Sequence, residues 1–247
     1  MIARRLGPLA GALALVVAGC TSSGAPGAST APSVAPPSAA GSPSAASPGP
    51  SPDHALVTAF LERLRDPAAR YRVDQTLSVV VGQAASKATS HSDVSGDDRL
   101  TVSDSTIGGE TTHTEFLQTD GEAYERRGEE EWRAVGPAQA LPQPFAFLDA
   151  SDMRYAGRRI AGGEFLESFS LVQPIPIGGA VAESLGVTGG MASVVLFDCF
   201  LLRDGSPVRV EVGLQLTQAD GSAAGYSTIE QDYSEFGGDI VVEPPVG

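Results

Sequence analysis

Residues 194–202 read VVLFDCFLL and residues 208–216 read VRVEVGLQL, and together they predict the clearest hairpin of the chain. The second run alternates apolar with polar residues, the period of two that is typical of a strand with one buried face. Asp204-Gly205 between the runs favours a tight hairpin turn. Because the first run is apolar on both faces, we expect one face to pack on helices and the other to meet a second apolar layer or a cavity. Asp198 interrupts one face and needs a polar partner or water there.

The segments around this hairpin carry the same strand pattern, interrupted by a few helical ones. Strands are predicted at residues 71–81, 100–102, 111–119, 123–126, 132–135, 153–160, 164–172, 226–233 and 240–242. Helices are predicted at residues 52–64, from an apolar stripe that ends at Leu64, and at residues 178–185. Residues 86–98 are interpreted as a polar insertion, residues 142–150 as a short helix or lid-like loop, and Pro174-Ile175-Pro176 as a break in the sheet. The pattern predicts an α+β domain with one large antiparallel sheet.

Length and charge limit the class of protein. The chain has 247 residues, which leaves enough for one domain with a sizeable core once a signal and a linker are subtracted. Its formal net charge is −14, and such an acidic surface repels the phosphates of nucleic acids and anionic lipid headgroups. We therefore expect no nucleic-acid partner and no docking through a basic patch, and we expect a monomer.

The N-terminus has the three parts of an export signal. Arg4 and Arg5 precede a short apolar run, which is shorter than the roughly 20 residues that a membrane-spanning helix needs. The run ends in Val17-Ala18-Gly19-Cys20, which resembles the lipobox of bacterial lipoproteins. That resemblance implies a signal peptide at residues 1–19, removal of that peptide and a diacylglyceryl thioether on Cys20. Ordinary signal cleavage nearby, or an uncleaved anchor with an incidental cysteine, are the alternatives.

Residues 20–53 are predicted to be a tether. From residue 21 to residue 52 every residue except Val34 is Ala, Gly, Pro, Ser or Thr, a composition that cannot form a core. Two or more acyl chains on Cys20 would hold the chain stably on a membrane surface. We expect residues 54–247 to form a single domain, held on the extracytoplasmic face of the cell membrane by the lipid on Cys20.

Three stretches of this domain together resemble one family. They are Asp120-Gly121-Glu122-Ala123-Tyr124 followed by Trp132, Asp204-Gly205-Ser206-Pro207-Val208, and residues 233–241, which read YSEFGGDIV. These hairpins and the closing strand are similar to those of the LolA/LppX-like group of bacterial lipoproteins and lipoprotein carriers, including its LppX/LprG branch. The resemblance implies a half-barrel of antiparallel strands curled around a few helices, with an apolar cavity that carries acyl chains or glycolipids. The polar insertion at 86–98 and the lack of a recognisable headgroup-binding cluster depart from that pattern.

Side chains that would line such a cavity are mostly aromatic or aliphatic. The candidates are Val79, Phe116, Tyr124, Trp132, Phe145, Phe147, Leu148 and Phe200. Core packing is the alternative role for Trp132, Phe145 and Phe147, with cavity lining or a mobile lid as the other. Cys199 has no cysteine partner once Cys20 carries lipid, and we interpret it as a small buried hydrophobe.

The sequence contains no motif of a known catalytic class. We find no nucleophile elbow, zinc-protease motif or phosphate-binding glycine loop, and His54, His91 and His113 are scattered over a helix start, a polar loop and a strand. We therefore predict no catalytic residue, no metal and no cofactor. The leading hypothesis is a membrane-anchored lipoprotein that binds or carries a hydrophobic molecule in the cell envelope. The alternative is an interaction or sensory lipoprotein of the same fold whose cavity is filled by its own side chains.

Overall fold

The structure is a computed structural model that describes residues 52–139 and 143–245. The predicted signal peptide at 1–19, the lipidation site Cys20 and residues 21–51 of the tether lie outside the described residues. Residue 142, the first of the predicted lid, lies outside them as well.

Two α-helices and twelve strands make up the described chain. The helices are α1 (Pro52–Arg65) and α2 (Gly179–Ser184), and a 3-10 helix spans Ala150–Asp152. The strands are β1 (Arg70–Val81), β2 (Ala84–Ser95), β3 (Asp98–Ile107), β4 (Glu110–Thr119), β5 (Glu122–Arg127), β6 (Arg133–Pro137), β7 (Met153–Ala161), β8 (Glu164–Leu171), β9 (Ile175–Gly178), β10 (Met191–Leu201), β11 (Pro207–Thr217) and β12 (Ala223–Ser234).

All twelve strands belong to one open antiparallel sheet. Its order is β6-β5-β4-β3-β2-β1-β12-β11-β10-β8-β7, with the short β9 paired to β10 outside this path. The sheet is thus built from two meanders. The first runs from β1 in the centre to the edge strand β6, and the second runs from the other edge back to the centre, where β12 pairs with β1. Because β6 and β7 do not pair, the sheet is not closed, and the predicted large antiparallel sheet is confirmed.

One face of the sheet, the inner face, carries the core. Directly opposite residues of antiparallel strands share a face, so the pairs Leu77↔Ile229 and Phe197↔Val212 place four apolar side chains together. The stripe predicted on α1 packs on them, since Val57 and Phe60 are fully buried within the same cluster. Each such side chain contributes roughly 1.5–3 kcal/mol by leaving water. The helix therefore buries its apolar stripe on the second meander and the centre of the sheet.

The outer face meets solvent, and this corrects one expectation for the strand at 194–202. Phe200 lies opposite Arg209 and Ser168 on this face, and the guanidinium of Arg159 covers its ring at 4.9 Å from the centroid. An arginine side chain, whose stem is apolar, therefore takes the place of a second apolar layer or a cavity. Asp198 lies on the same outer face, where it is half-buried.

Three segments differ from the sequence prediction. Residues 84–95 form strand β2, not a polar insertion. Its outer face meets solvent and its inner face borders a polar cavity, with only Ala88 and Val94 in the core, so its sequence shows little apolar alternation. The segment at 175–178 forms β9, where Pro176 is tolerated because this short strand pairs only with β10. Residues 240–242 are not in a strand.

Cys199 is fully buried on the inner face, and we expect its thiol to be unreactive in the folded protein. Burial raises the pKa of Cys199, and the carboxylate of Asp198 acts in the same direction. Because the thiolate is the reactive form, iodoacetamide should label Cys199 only after the protein has been unfolded in denaturant. Rapid labelling of Cys199 in the native chain at pH 8, located by mass spectrometry, would contradict this expectation.

His113 links two strands on the outer face. Its Nδ1 lies 2.8 Å from Asp104 Oδ1 and its Nε2 lies 3.4 Å from Glu115 Oε1, and the hydrogen bond with Asp104 is the largest cause that raises the pKa of His113. A group whose pKa is higher in the folded state stabilises that state fully below its unfolded pKa of about 6.5. The contribution is lost as the pH rises through the folded pKa.

We therefore expect the free energy of unfolding of the unchanged protein to exceed that of His113→Asn at pH 5.5. The difference should shrink steadily between pH 6.5 and pH 8.5, as measured by urea unfolding at constant ionic strength. Two curves that run parallel across this range would show that the pairing of His113 does not contribute.

Candidate ligand-binding site

The inner face changes character across the centre of the sheet. On β10 and β11 it is apolar, whereas on β2 to β4 it is lined mainly by hydroxyl, amide and guanidinium groups. These polar inner-face residues are Ser90, Ser92, Arg99, Thr101, Ser103, Thr114 and Gln118. The apolar core cannot satisfy these polar side chains, which need polar partners. This half of the inner face is therefore the candidate ligand-binding site.

A cavity of about 290 Å³ lies on this polar half. The inner faces of β1, β2, β3 and β12 form its floor, and the end of α1 together with Gln143 and Pro144 forms one wall. Its volume is at the lower end of the roughly 300–1,000 Å³ range of small-molecule sites. The cavity therefore has the size of a polar headgroup and is too small for a whole lipid.

Arg99 places a positive charge on the floor of the cavity, opposite the wall to which Arg65 belongs. Its Nε donates to Thr101 Oγ1 at 2.9 Å and its Nη2 donates to Ser92 Oγ at 3.2 Å. Burial lowers the pKa of Arg99, while the nearby phenol groups of Tyr71 and Tyr233 act in the opposite direction. Within residues 52–139 and 143–245, no carboxylate lies within 4.0 Å of its guanidinium.

A chain of neutral hydrogen-bonding groups faces Arg99. Tyr233 Oη donates to Gln231 Oε1 at 2.9 Å, and Gln231 Nε2 donates to Gln75 Oε1 at 2.7 Å. Burial raises the pKa of Tyr233 well above its ordinary value and also raises that of Tyr71, so both phenols keep their protons. The cavity therefore combines two guanidinium groups, Arg99 on its floor and Arg65 on its wall, with neutral donors and acceptors and with the carboxylates of Asp66 and Asp97.

Residues 143–149, which we call the strap, cross the end of α1 beside this cavity. One side chain, Arg65, holds the strap backbone: it donates to Pro144 O at 3.3 Å, to Phe145 O at 2.5 Å and to Leu148 O at 2.8 Å. Arg65 also borders a shallow surface groove of about 620 Å³ on its other side. Among the described residues Arg65 is thus the one residue of α1 that binds the strap backbone, while Asp152 binds its last residue, Asp149, through Asp149 N–H and Asp152 Oδ2 at 2.8 Å.

The side chains of the strap enter the apolar core. Phe145 is 2 % exposed and its ring lies edge-on to Phe197 with centroids 4.9 Å apart, and Leu148 is buried beside it. Phe147 is half-buried, and the centroid of its ring lies 6.4 Å from that of the same Phe197 ring. Phe145 takes a φ of +51°, in the left-handed region that costs a non-glycine residue roughly 1–2 kcal/mol. Packing of these side chains offsets that strain.

The structure brings together only part of the predicted cavity lining. Phe145, Phe147 and Leu148 meet in the strap, and Val79 lies in the core that continues from them on β1. Phe116 is half-buried on the inner face of β4, opposite Thr101.

Three other candidates lie on the outer face and line no interior space. Tyr124 pairs with Leu117 there, and Trp132 stacks under the guanidinium of Arg126, which binds Glu115. Phe200 lies beneath Arg159, as described above. Alternation along β5 and β10 places Tyr124 and Phe200 on the outer face, and Trp132, which precedes β6, lies there through its contact with Arg126.

Sequence analysis missed Arg65 and the polar residues of the cavity. The sequence of β1 contains one signal for the cavity. Alternate residues Val73, Leu77 and Val79 are apolar and face the core, and Gln75 is a polar residue in the same series. A polar residue in the buried phase of a strand needs a buried partner, and Gln231 of β12 is that partner.

Neither metal sites nor spanning helices are found in the described part of the chain. No cluster of three or more His, Cys, Asp or Glu side chains is arranged to hold a metal ion among residues 52–139 and 143–245. Both helices described are too short or too polar to cross a bilayer.

Comparison with known proteins gives only distant structural likenesses. No protein-family model and no curated protein matches the sequence. The fold is similar to that of a LolA superfamily protein from Nitrosomonas europaea, with 10% identity and a TM-score of 0.29, over 78% of this chain and 94% of that one. It is also similar to a putative outer membrane lipoprotein-sorting protein domain from Vibrio parahaemolyticus, with 9% identity and a TM-score of 0.27, over 76% of this chain and 94% of that one. Likenesses this weak do not carry a function, which must be argued from the geometry of the site.

Proposed function

We propose that this protein is a non-catalytic binding protein that holds the hydrophobic part of a lipid or glycolipid between α1 and the inner face of the sheet. In this proposal the strap is a plug made of the protein's own side chains. When a ligand enters, Phe145, Phe147 and Leu148 leave the space that they fill in the ligand-free protein.

The construction of the strap is the observation that carries this proposal. A segment with two deeply buried side chains is held in a strained conformation at Phe145, and the hydrogen bonds that join its backbone to α1 come from Arg65 alone among the described residues. Strained backbone of this kind concentrates at ligand clamps and switch regions. A permanent part of the core would need neither the strain nor a single latch.

The free energy lost when the strap side chains enter water is similar to the free energy gained when an acyl chain is buried in their place. Moving the three side chains into water costs roughly 1.5–3 kcal/mol each, or roughly 5–9 kcal/mol together. Burying an acyl chain of about 12 methylene groups returns roughly 10 kcal/mol at ~0.8 kcal/mol per group. About 12 methylene groups, in one long acyl chain or divided between two octanoyl chains, are therefore enough to displace the strap, whereas a single short chain is not.

The N-terminal part of the chain sets the proposed location. The resemblance of Val17-Ala18-Gly19-Cys20 to a lipobox and the tether at 20–53 support a lipid-anchored protein on the extracytoplasmic side of the cell membrane. A tether of this composition would let the domain reach lipids in the same membrane.

Native mass spectrometry of the full-length chain with Cys20→Ser tests the binding function. The variant, which cannot carry the thioether-linked lipid, would be purified from bacteria, and its mass compared before and after organic extraction. We expect one extractable lipid per chain, and uptake of one added long-chain lipid by the emptied protein. A chain that is free of lipid as purified and takes up none would overturn the proposal.

An interaction module is the second candidate, and the filling of the interior favours it. Phe60 of α1 and Phe169 and Phe197 of the second meander are fully buried, so side chains of the protein itself occupy the space between the helix and this part of the sheet. In this case a protein partner would bind, and cavity-filling substitutions would leave that binding unchanged. Absence of lipid together with a partner retained by the Cys20→Ser chain would select this function.

A further inference from the structure

Arg99 differs from the other arginines of the described chain. Those with ion pairs are Arg63, Arg72, Arg126, Arg127, Arg158 and Arg209, and those without one that are exposed are Arg70, Arg133, Arg154, Arg159 and Arg203. Arg65 is bound to three carbonyl groups. Arg99 alone in this described set is half-buried with only two hydroxyl acceptors, although the chain has a net charge of −14 and carboxylates are abundant.

The guanidinium of Arg99 keeps unused donor capacity. It has five N–H groups, of which its hydrogen bonds to Thr101 and Ser92 use two. A guanidinium with spare donors in a partly desolvated cavity favours an oxyanion, because charge-assisted hydrogen bonds are about twice as strong as neutral ones. The protonated phenol of Tyr71 adds a donor in the same cavity, whereas that of Tyr233 already donates to Gln231.

The charge of the cavity favours a singly charged ligand group. Asp66 and Asp97 stand at its rim, both exposed, and they oppose a group with two negative charges. Arg65 also lines the cavity, but its guanidinium is held by three carbonyl groups of the strap, so Arg99 is the guanidinium left to pair with a ligand. One such guanidinium balances one negative charge, which is the charge of a phosphodiester, whereas a phosphomonoester carries about −1.5 to −2 at pH 7.

The cavity and the strap are neighbours, so one ligand can occupy both. Gln143 and Pro144 of the strap form a wall of the cavity, and Phe145 behind them enters the core. A headgroup in the cavity would therefore lie directly beside an acyl chain that replaced the strap.

We propose that the cavity around Arg99 binds a phosphodiester, carried either by a phospholipid headgroup or by a soluble glycerophosphodiester. The lipid source rests on the proposed function, because it needs the space under the strap, whereas the soluble source does not. Arg99 contacts the phosphate, and the phenols and amides of the cavity bind the polar groups next to it.

Binding of matched ligands to the full-length Cys20→Ser chain tests this inference. Dioctanoyl phosphatidylglycerol and dioctanoylglycerol have the same acyl chains and differ in the phosphodiester headgroup, and glycerophosphoglycerol is the headgroup without chains. We expect the phospholipid to bind about 10- to 100-fold more tightly than the diacylglycerol in titration calorimetry. Arg99→Gln should remove this preference, and Arg154→Gln, which makes the same charge change at an exposed site, should keep it.

The possible results distinguish a phospholipid ligand from a soluble one, and the failure of the phosphodiester site from the failure of the proposed function. Equal affinity for the two lipids overturns the phosphodiester site and leaves the proposed function intact. Binding of glycerophosphoglycerol alone, lost in Arg99→Gln, supports the site with a soluble ligand and counts against lipid binding. If Arg99→Gln does not fold, Arg99→Lys replaces it, because lysine keeps the charge without the planar fork of the guanidinium. The phosphodiester site then predicts that the unchanged protein prefers the phospholipid and that Arg99→Lys reduces this preference. Binding of none of the three ligands overturns the inference.

Discussion

Arg65→Ala is expected to release the strap and to speed amide hydrogen exchange in residues 145–149 by roughly 30- to 1,000-fold. The substitution removes three hydrogen bonds from one charged donor to the carbonyl groups of Pro144, Phe145 and Leu148. Their joint loss is worth roughly 2–4 kcal/mol, because the carbonyl groups regain water when the strap opens. Exchange detected by mass spectrometry measures this opening directly, since it reports local unfolding.

Arg63→Ala is the matched control for this experiment. Arg63 lies on the same helix and forms an exposed ion pair with Asp204, so its removal makes the same change in charge without touching the strap. Strap exchange in Arg63→Ala should equal that of the unchanged protein. If Arg65→Ala and Arg63→Ala exchange at the same rate, the latch is not what holds the strap closed. Under the proposed function, Arg65→Ala should also take up long-chain lipid faster.

Phe145→Ala should destabilise the ligand-free protein by about 3–5 kcal/mol, the cost of removing a fully buried phenylalanine and leaving a cavity. For a domain of this size that is a fall in melting temperature of roughly 6–20 °C. Because the ring belongs to the plug, a long-chain lipid that fills the same space should restore much of the loss. Thermal unfolding with and without added lipid measures both effects.

Phe169→Ala is the control that tests whether rescue by lipid is specific to the strap. Phe169 is also fully buried, but it lies on β8 beside Tyr155 and is not part of the strap. We expect a similar loss of stability and no extra rescue by lipid beyond that of the unchanged protein. Equal rescue of the two variants would show that the space under the strap is not where the lipid binds.

The elements with a clear period were predictable from the sequence. The stripe on α1 and the alternation in β1 and β11 report burial directly, because a helix or strand with one buried face carries that face in its sequence. Asp120-Gly121 marks a tight turn, and both residues have positive φ values of 52° and 79°. These local signals predict individual strands and the hairpin of β10 and β11, but not the pairing of β1 with β2, which was not predicted as a strand.

The site was less predictable, for two physical reasons. β2 has one face toward solvent, and its inner face places only Ala88 and Val94 in the core while Ser90 and Ser92 border the polar cavity, so the apolar alternation is too sparse to indicate a strand. The cavity itself is assembled across the centre of the sheet, where Gln75 and Gln231 are 156 residues apart. No local pattern reports which distant strand lies opposite, and this pairing alone brings Tyr233 into the cavity that Arg99 lines.

The pairing of β1 with β12 also determines the order in which the chain can fold. The first strand of the domain to leave the ribosome borders on the last, so the central seam forms only when the whole chain has been synthesised. Until then β1 presents an unpaired edge, which other chains can join. Contacts this far apart in sequence make folding slow. For the extracytoplasmic location proposed above, a sheet that only the final strand completes would leave the chain unfolded while it crosses the membrane.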